Sequence, residues 1–131
     1  MQLDHPKLKT RLEQVIGDNL EPYLQEVAVL GVNLHGFSAI VELKINFSKK
    51  KNPRNFHKKS RNCLILFLHI PDFEMSITRH NYEIYKNVVD ILKNDKLQLN
   101  IGKYQYEFNF DTIELFKIES VNKMNLVDDE Y

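Results

Sequence analysis

The fold turns on residues 41–70, VELKINFSKKKNPRNFHKKSRNCLILFLHI. Val41, Leu43, Ile45 and Phe47 alternate with Glu42, Lys44, Asn46 and Ser48. A period of two with one apolar phase is the signature of a half-buried antiparallel strand. The closing run, residues 62–70, is apolar in both phases and predicts an interior strand with both sides covered. Between them, residues 49–61 hold seven Lys or Arg and no carboxylate. That connection is either a solvated loop or a contact surface for a phosphate backbone or an acidic partner.

The same period extends outward in both directions. Residues 26–34, EVAVLGVNL, form a strand with a bulge expected at Gly31, turning through HGFS into the strand above. Residues 72–78 alternate again, with Phe73, Met75 and Ile77 inward and Glu74, Ser76 and Thr78 outward. Residues 82–93 fit a helix or a strand, with strand preferred. KLQLNIGKYQYEFNF predicts a hairpin turning at Gly102-Lys103, with Leu97, Leu99 and Ile101 facing Tyr104, Tyr106, Phe108 and Phe110. Residues 112–121 supply a last strand, and 122–131 a loose acidic tail.

Upstream, residues 5–17 predict the single helix. Asp4 is placed to cap it, Pro6 suits its first turn, and Leu8, Leu12, Val15 and Ile16 share one stripe before Gly17 stops it. The expected class is therefore mainly β, at the margin of α+β. It is an antiparallel β-sandwich or incomplete barrel of about seven or eight strands over 24–121, with a short N-terminal helix. The 131 residues form one domain with no linker and no internal repeat.

Composition sets bounds on function. There are 18 basic and 18 acidic residues, a formal net charge of zero. The neutrality is an average of opposites: residues 49–61 carry +7, leaving 11 basic against 18 acidic residues elsewhere, a balance of −7. A domain built for nucleic acid spreads a net positive charge over a face, whereas here the remaining surface repels a polyanion. The one cysteine, Cys63, cannot form an internal disulfide and lies in an apolar run, where a protonated thiol is expected. No hydrophobic leader or membrane span stands out, so a cytoplasmic, reducing environment is expected.

No catalytic signature emerges. The five histidines have neither HxH nor HExxH spacing, and the four glycines are dispersed. An imidazole beside Asp72 or Asp90 would be needed for base catalysis, and nothing in the spacing joins them. We therefore expect no enzyme activity, no metal and no cofactor. Two sets of side chains remain as partner-binding candidates. One is an acidic face, Glu42, Glu74, Glu107 and Asp111, on the polar phase of the strands or beside a turn. The other is the basic connection, Lys49, Lys50, Lys51, Arg54, Lys58, Lys59 and Arg61.

The order of these elements resembles the small β-sandwich immunity proteins of bacterial polymorphic-toxin and contact-dependent inhibition systems, in particular the family named immunity protein fifty. The resemblance runs over residues 16–121. It rests on Gly17, Pro22 and Tyr23 before the apolar strands of Val27 to Phe47, on NPRNF with Pro53 and Phe56, on Asn62 opening RNCLILFLHIPDFEMSI, and on the closing YEFNFDTIELFKIESV. Where the family carries a tryptophan after the proline loop, this chain has Phe56, and it contains no tryptophan. The resemblance implies a protein that binds a cognate toxin domain one to one and blocks its active site or substrate groove, without chemistry of its own. A nuclease toxin would suit the acidic face. Two alternatives differ in class: a nucleic-acid-binding module using the basic connection, and a structural or assembly protein pairing exposed sheet edges.

Overall fold

A computed structural model describes residues 1–17, 19–47, 63–81 and 86–121. The chain is mainly β with one helix. Its strands are β1 (Gln2–Asp4), β2 (Val27–His35), β3 (Ser38–Asn46), β4 (Cys63–Ile70), β5 (Phe73–Arg79), β6 (Val88–Lys93), β7 (Lys96–Ile101), β8 (Tyr104–Phe110) and β9 (Glu114–Val121). Helix α1 spans Pro6–Ile16, and a single 3₁₀ turn covers Glu21–Tyr23. All strands belong to one sheet of order β5-β8-β7-β6-β2-β3-β4-β9, with β1 added parallel to β6.

The alternation in the sequence translates directly into burial. Val41, Leu43 and Ile45 are buried along β3, whereas β4, expected to be covered on both sides, buries Leu64, Leu66, Leu68 and Ile70 and leaves Ile65, Phe67 and His69 of the other phase half-buried. The β2–β3 ladder shifts register between Val29 and Gly31, where the bulge is expected. The β7–β8 hairpin places Leu97 opposite Phe108, Leu99 opposite Tyr106 and Ile101 opposite Tyr104. Phe110 pairs instead with Phe73 of β5. Residues 88–93 are strand; residues 82–85 lie outside the described residues, as do the basic connection 49–61 and the tail 122–131.

Two local expectations are corrected. The cap of α1 is His5, whose Nδ1 accepts the Leu8 N–H at 3.3 Å. Asp4 instead ends β1, a strand of three residues whose period is too short to be read and whose partner is remote in sequence. With β1 counted, the described residues form nine strands, two of them at the ends of the main ladder. Ile77, expected inward, is 51% exposed near the end of the terminal strand β5. At the other end of α1, Gly17 adopts φ 71° and its N–H bonds the Glu13 carbonyl at 2.7 Å, the left-handed stop that glycine adopts with least strain.

The sheet is strongly curved, and one short link proves it. β5 is first in the strand order and β4 seventh, so a flat sheet would hold them about 29 Å apart at roughly 4.8 Å per strand. Yet only Pro71 and Asp72 join Ile70 to Phe73, a reach of about 11 Å at most. The sheet must therefore fold back on itself. It does so at its weakest seam, where β2 and β6 meet through the single pair Ala28–Val88 and the bond from Val29 N–H to the Asn87 carbonyl at 2.9 Å. The sheet does not close into a barrel.

Side chains from both halves fill the fold: Leu43, Leu66, Leu97, Leu99 and Phe108 share one core with Leu8, Leu12 and Ile16 of α1. Edge-to-face ring pairs with centroids 5.2 Å apart lock its margins, Tyr23 on Phe47 and Phe73 on Phe108. Arg11 reaches from the helix to donate to the Leu115 carbonyl of β9 at 2.9 Å, tying α1 to the far edge. Among the described residues no helix is long and apolar enough to cross a membrane.

Candidate functional site

The β5–β8 and β7–β8 ladders bring three chain connections to one place. They are the β4–β5 link with Asp72, the β6–β7 turn with Asp95, and the exit from β8 with Asp111. Phe110 N–H donates to the Asp95 carbonyl at 3.1 Å, which fixes the second connection against the third. Glu74, the second residue of β5, pairs across the ladder with Asn109 and extends the rim. These side chains, with Phe73 and Phe110 beneath them, line an open cleft of ≈ 440 Å³.

Its electrostatics follow from what is missing from its lining. Asp72, Glu74, Asp95 and Asp111 contribute four carboxylates, and among the described residues no Lys, Arg or His lines the cleft. All four are exposed, and among the described residues none is ion-paired. A concave surface with one sign of charge focuses its field outward and attracts cations at range. A second hollow of ≈ 230 Å³, beside Tyr23 and Asn46, carries both Glu26 and Lys44 and so has no such polarity.

The four acidic candidates read from the sequence do not form one face. Glu74 and Asp111 sit on the cleft. Glu107 lies one diagonal away, with Ser76 opposite it on β5. There it accepts from Gln98 Nε2 at 2.7 Å on one oxygen and from Asn109 Nδ2 at 3.3 Å on the other, with Lys96 Nζ at 3.6 Å. The Gln98 bond first, then Asn109 and Lys96, hold its carboxyl below the usual carboxylate value. Glu107 is thus engaged in a polar ladder on the outer face of β7 and β8, which Gln105 and Asn100 continue at 3.3 Å. Glu42 stands apart on β3, four strands from β8, and accepts from Asn33 Nδ2 at 3.4 Å. The seven basic candidates, Lys49, Lys50, Lys51, Arg54, Lys58, Lys59 and Arg61, lie outside the described residues.

Two cleft residues, Asp72 and Asp95, were absent from that acidic set. A signal for one of them exists in the sequence. Asp95 and Asp111 each sit beside a strand end, and the alternation of β6, β7 and β8 puts those two ends at the same side of the sheet. Asp72 joins them through the β5–β8 ladder, whose Phe73–Phe110 pair sets it beside Asp111, a long-range pairing that no local pattern announces.

Two further titratable groups make structural contacts. His80 Nε2 lies 2.9 Å from the Gly102 carbonyl, and burial pushes the Cys63 thiol above its ordinary value, opposed by Lys44. Among the described residues no group of three His, Cys, Asp or Glu side chains is arranged to hold a metal ion. No protein-family model, curated protein or solved structure matches the chain.

Proposed function

We propose that this protein is a stoichiometric inhibitor, an immunity protein that neutralises a cognate toxin domain by seating the acidic cleft against a basic substrate groove. The observation that carries this reading is the convergence of Asp72, Glu74, Asp95 and Asp111 around one cleft with no cation among its described lining residues. A toxin that acts on a polyanion, a nuclease above all, must present cations where its substrate lies. Four carboxylates on a rigid sheet end compete for that groove without undergoing any reaction. Complementary potential of this kind speeds encounter and fixes the orientation of docking. Phe73 and Phe110 beneath the rim supply apolar floor, and the β5–β8 and β7–β8 ladders keep the rim from reorganising on binding. The reading sets the protein at work in the cytoplasm, where such a toxin meets its substrate. It also narrows the acidic surface from the strand face as a whole to one end of the sheet.

Co-expression with the toxin domain encoded immediately upstream of its gene, with only this chain tagged, tests the reading. A one-to-one complex that restores growth is the expected result. Combined Asp72→Asn, Glu74→Gln, Asp95→Asn and Asp111→Asn should weaken the complex and flatten its salt dependence while leaving the fold intact. No complex, or a complex indifferent to the four substitutions, would refute the cleft as its binding surface.

A further inference from the structure

The two ends of the main strand ladder are treated differently, and the difference points to a second surface. β9, at one end, is guarded: its ladder with β4 shifts register opposite Phe67 and Leu68, and Lys117 and Glu119 pair at 2.6 Å on its flank. A bulge and charged side chains are the usual means of keeping a strand edge from pairing with another chain. β5, at the other end, has no bulge, and its two charges, Glu74 and Arg79, stand towards its two ends. Its seven residues, FEMSITR, run against β8 without a register shift, contain no proline or lysine, and have β8 as their only strand neighbour among the described residues.

Which backbone groups β5 leaves open follows from ladder parity. His80 N–H donates to the Lys103 carbonyl at 2.9 Å, in register with the β5–β8 pairs. In an antiparallel ladder both polar groups of a residue point the same way and alternate along the strand. Ser76, Glu74 and Thr78 therefore bond to β8, while Phe73, Met75, Ile77 and Arg79 direct N–H and C=O away from the sheet. The other side of β8 gives the same answer, since Phe110 N–H bonds the Asp95 carbonyl and so turns Asn109, Glu107 and Gln105 towards β5.

We propose that a second copy of this chain adds across this edge, β5 against β5, antiparallel about a two-fold axis at Ser76. This register overlaps the whole strand. It sets Met75 against Ile77, Glu74 against Thr78 and Phe73 against Arg79, each pair occurring twice and none joining like charges. The residues with outward backbone groups meet one another in it, giving about eight interchain hydrogen bonds. Ile77 and the neighbouring Tyr104, 51% and 43% exposed, lie on the side where Met75 and Ile77 of the two copies would pack. An edge of seven residues is about 24 Å long and falls short of a standard interface, so the dimer is reversible and dissociates on dilution. This inference is independent of the inhibitor reading.

The test is a sedimentation series on the full chain, together with a cysteine placed on the axis. Ser76→Cys brings two thiols face to face in a pair with Cα atoms about 4.5 Å apart, within disulfide reach. Thr78→Cys places them about 14 Å apart and should not cross-link. Cys63 is buried and stays in place. The expected results are a dimer that grows with concentration, rapid oxidation of the Ser76→Cys variant alone, and association weakened at least roughly tenfold by Ile77→Lys. A chain that stays monomeric throughout, or equal cross-linking at 76 and 78, overturns the proposal. If Ile77→Lys fails to fold, the cysteine pair decides alone.

Discussion

Replacing the imidazole that caps α1 should remove a measurable, pH-dependent part of the stability. His5 Nδ1 accepts the Leu8 N–H at 3.3 Å, so the ring must be neutral with its proton on Nε2. Burial, with Lys7 acting the same way, holds its pKa below the ordinary value of 6.5, against the opposing effect of a backbone hydrogen bond. Below about 6.5 the unfolded chain takes up a proton that the folded chain resists, so the unfolded state gains and stability falls. Once protonated, Nδ1 can no longer accept, and a positive charge sits at the positive end of the helix dipole. The cap's contribution is therefore complete above pH 6.5 and is lost as the pH drops through the lowered folded value. Loss of a side-chain cap costs about 1 kcal/mol, which for a chain of this length is about 3–5 °C in Tm. Urea unfolding between pH 5 and 7.5 should show His5→Ala less stable than the parent at pH 7.5, with the gap closing on acidification. His5→Asn, a neutral cap, should remove the difference in slope while keeping most of the bond. Parallel pH profiles for parent and His5→Ala would refute the argument, whatever the absolute loss.

Three further outcomes test the rest of the fold. Glu107→Leu should destabilise by no more than about 1 kcal/mol above pH 5, because water replaces the bonds it removes from Gln98, Asn109 and Lys96 on the outer face; because its folded pKa is depressed, the difference should shrink as pH falls below the ordinary carboxylate range, checked by unfolding at pH 3 and 6. Phe108→Ala removes a fully buried ring that also stacks edge-on with Phe73, and should cost about 3–5 kcal/mol in the same assay. Gly102→Ala should cost about 1–2 kcal/mol although a Cβ there meets open space, because its φ is +58°; Gly31→Ala, equally open but without a positive φ, should not, and equal losses at both sites would refute the conformational explanation.

The elements that were legible in the sequence are those whose pattern and partner are both local. The β7–β8 hairpin around Gly102 and the alternation of β3 each carry their register within about ten residues, and the structure realises both. The helix was equally plain from Leu8, Leu12 and Ile16, but its cap was not. Asp4 has the better intrinsic cap chemistry, yet β1 draws it into pairing with Lys93, and the cap falls to the next residue. Tertiary pairing overrode local preference there by one position.

The same distinction explains the cleft. Polar phase shows which side of a strand faces solvent but not which strands are neighbours, so Glu42 and Glu107 looked equivalent to Glu74 although three strands lie between β8 and the strand of Glu42. Two of the cleft's aspartates end strands that alternate in direct succession. The third, Asp72, is set beside Asp111 by the β5–β8 ladder, whose strands are remote in sequence. Two ladders on one side of the β2–β6 seam thus convert four ordinary surface carboxylates into a concave acidic site. A substitution that splits that seam, such as Val88→Asp, should therefore loosen β2 from β6 while the β5–β8 and β7–β8 ladders keep the cleft together. Hydrogen exchange should then show the Val29 amide, which bonds across the seam, losing protection ahead of those of β8; simultaneous loss would mean that the two halves of the sheet unfold as one unit and that the cleft does not stand apart from the seam.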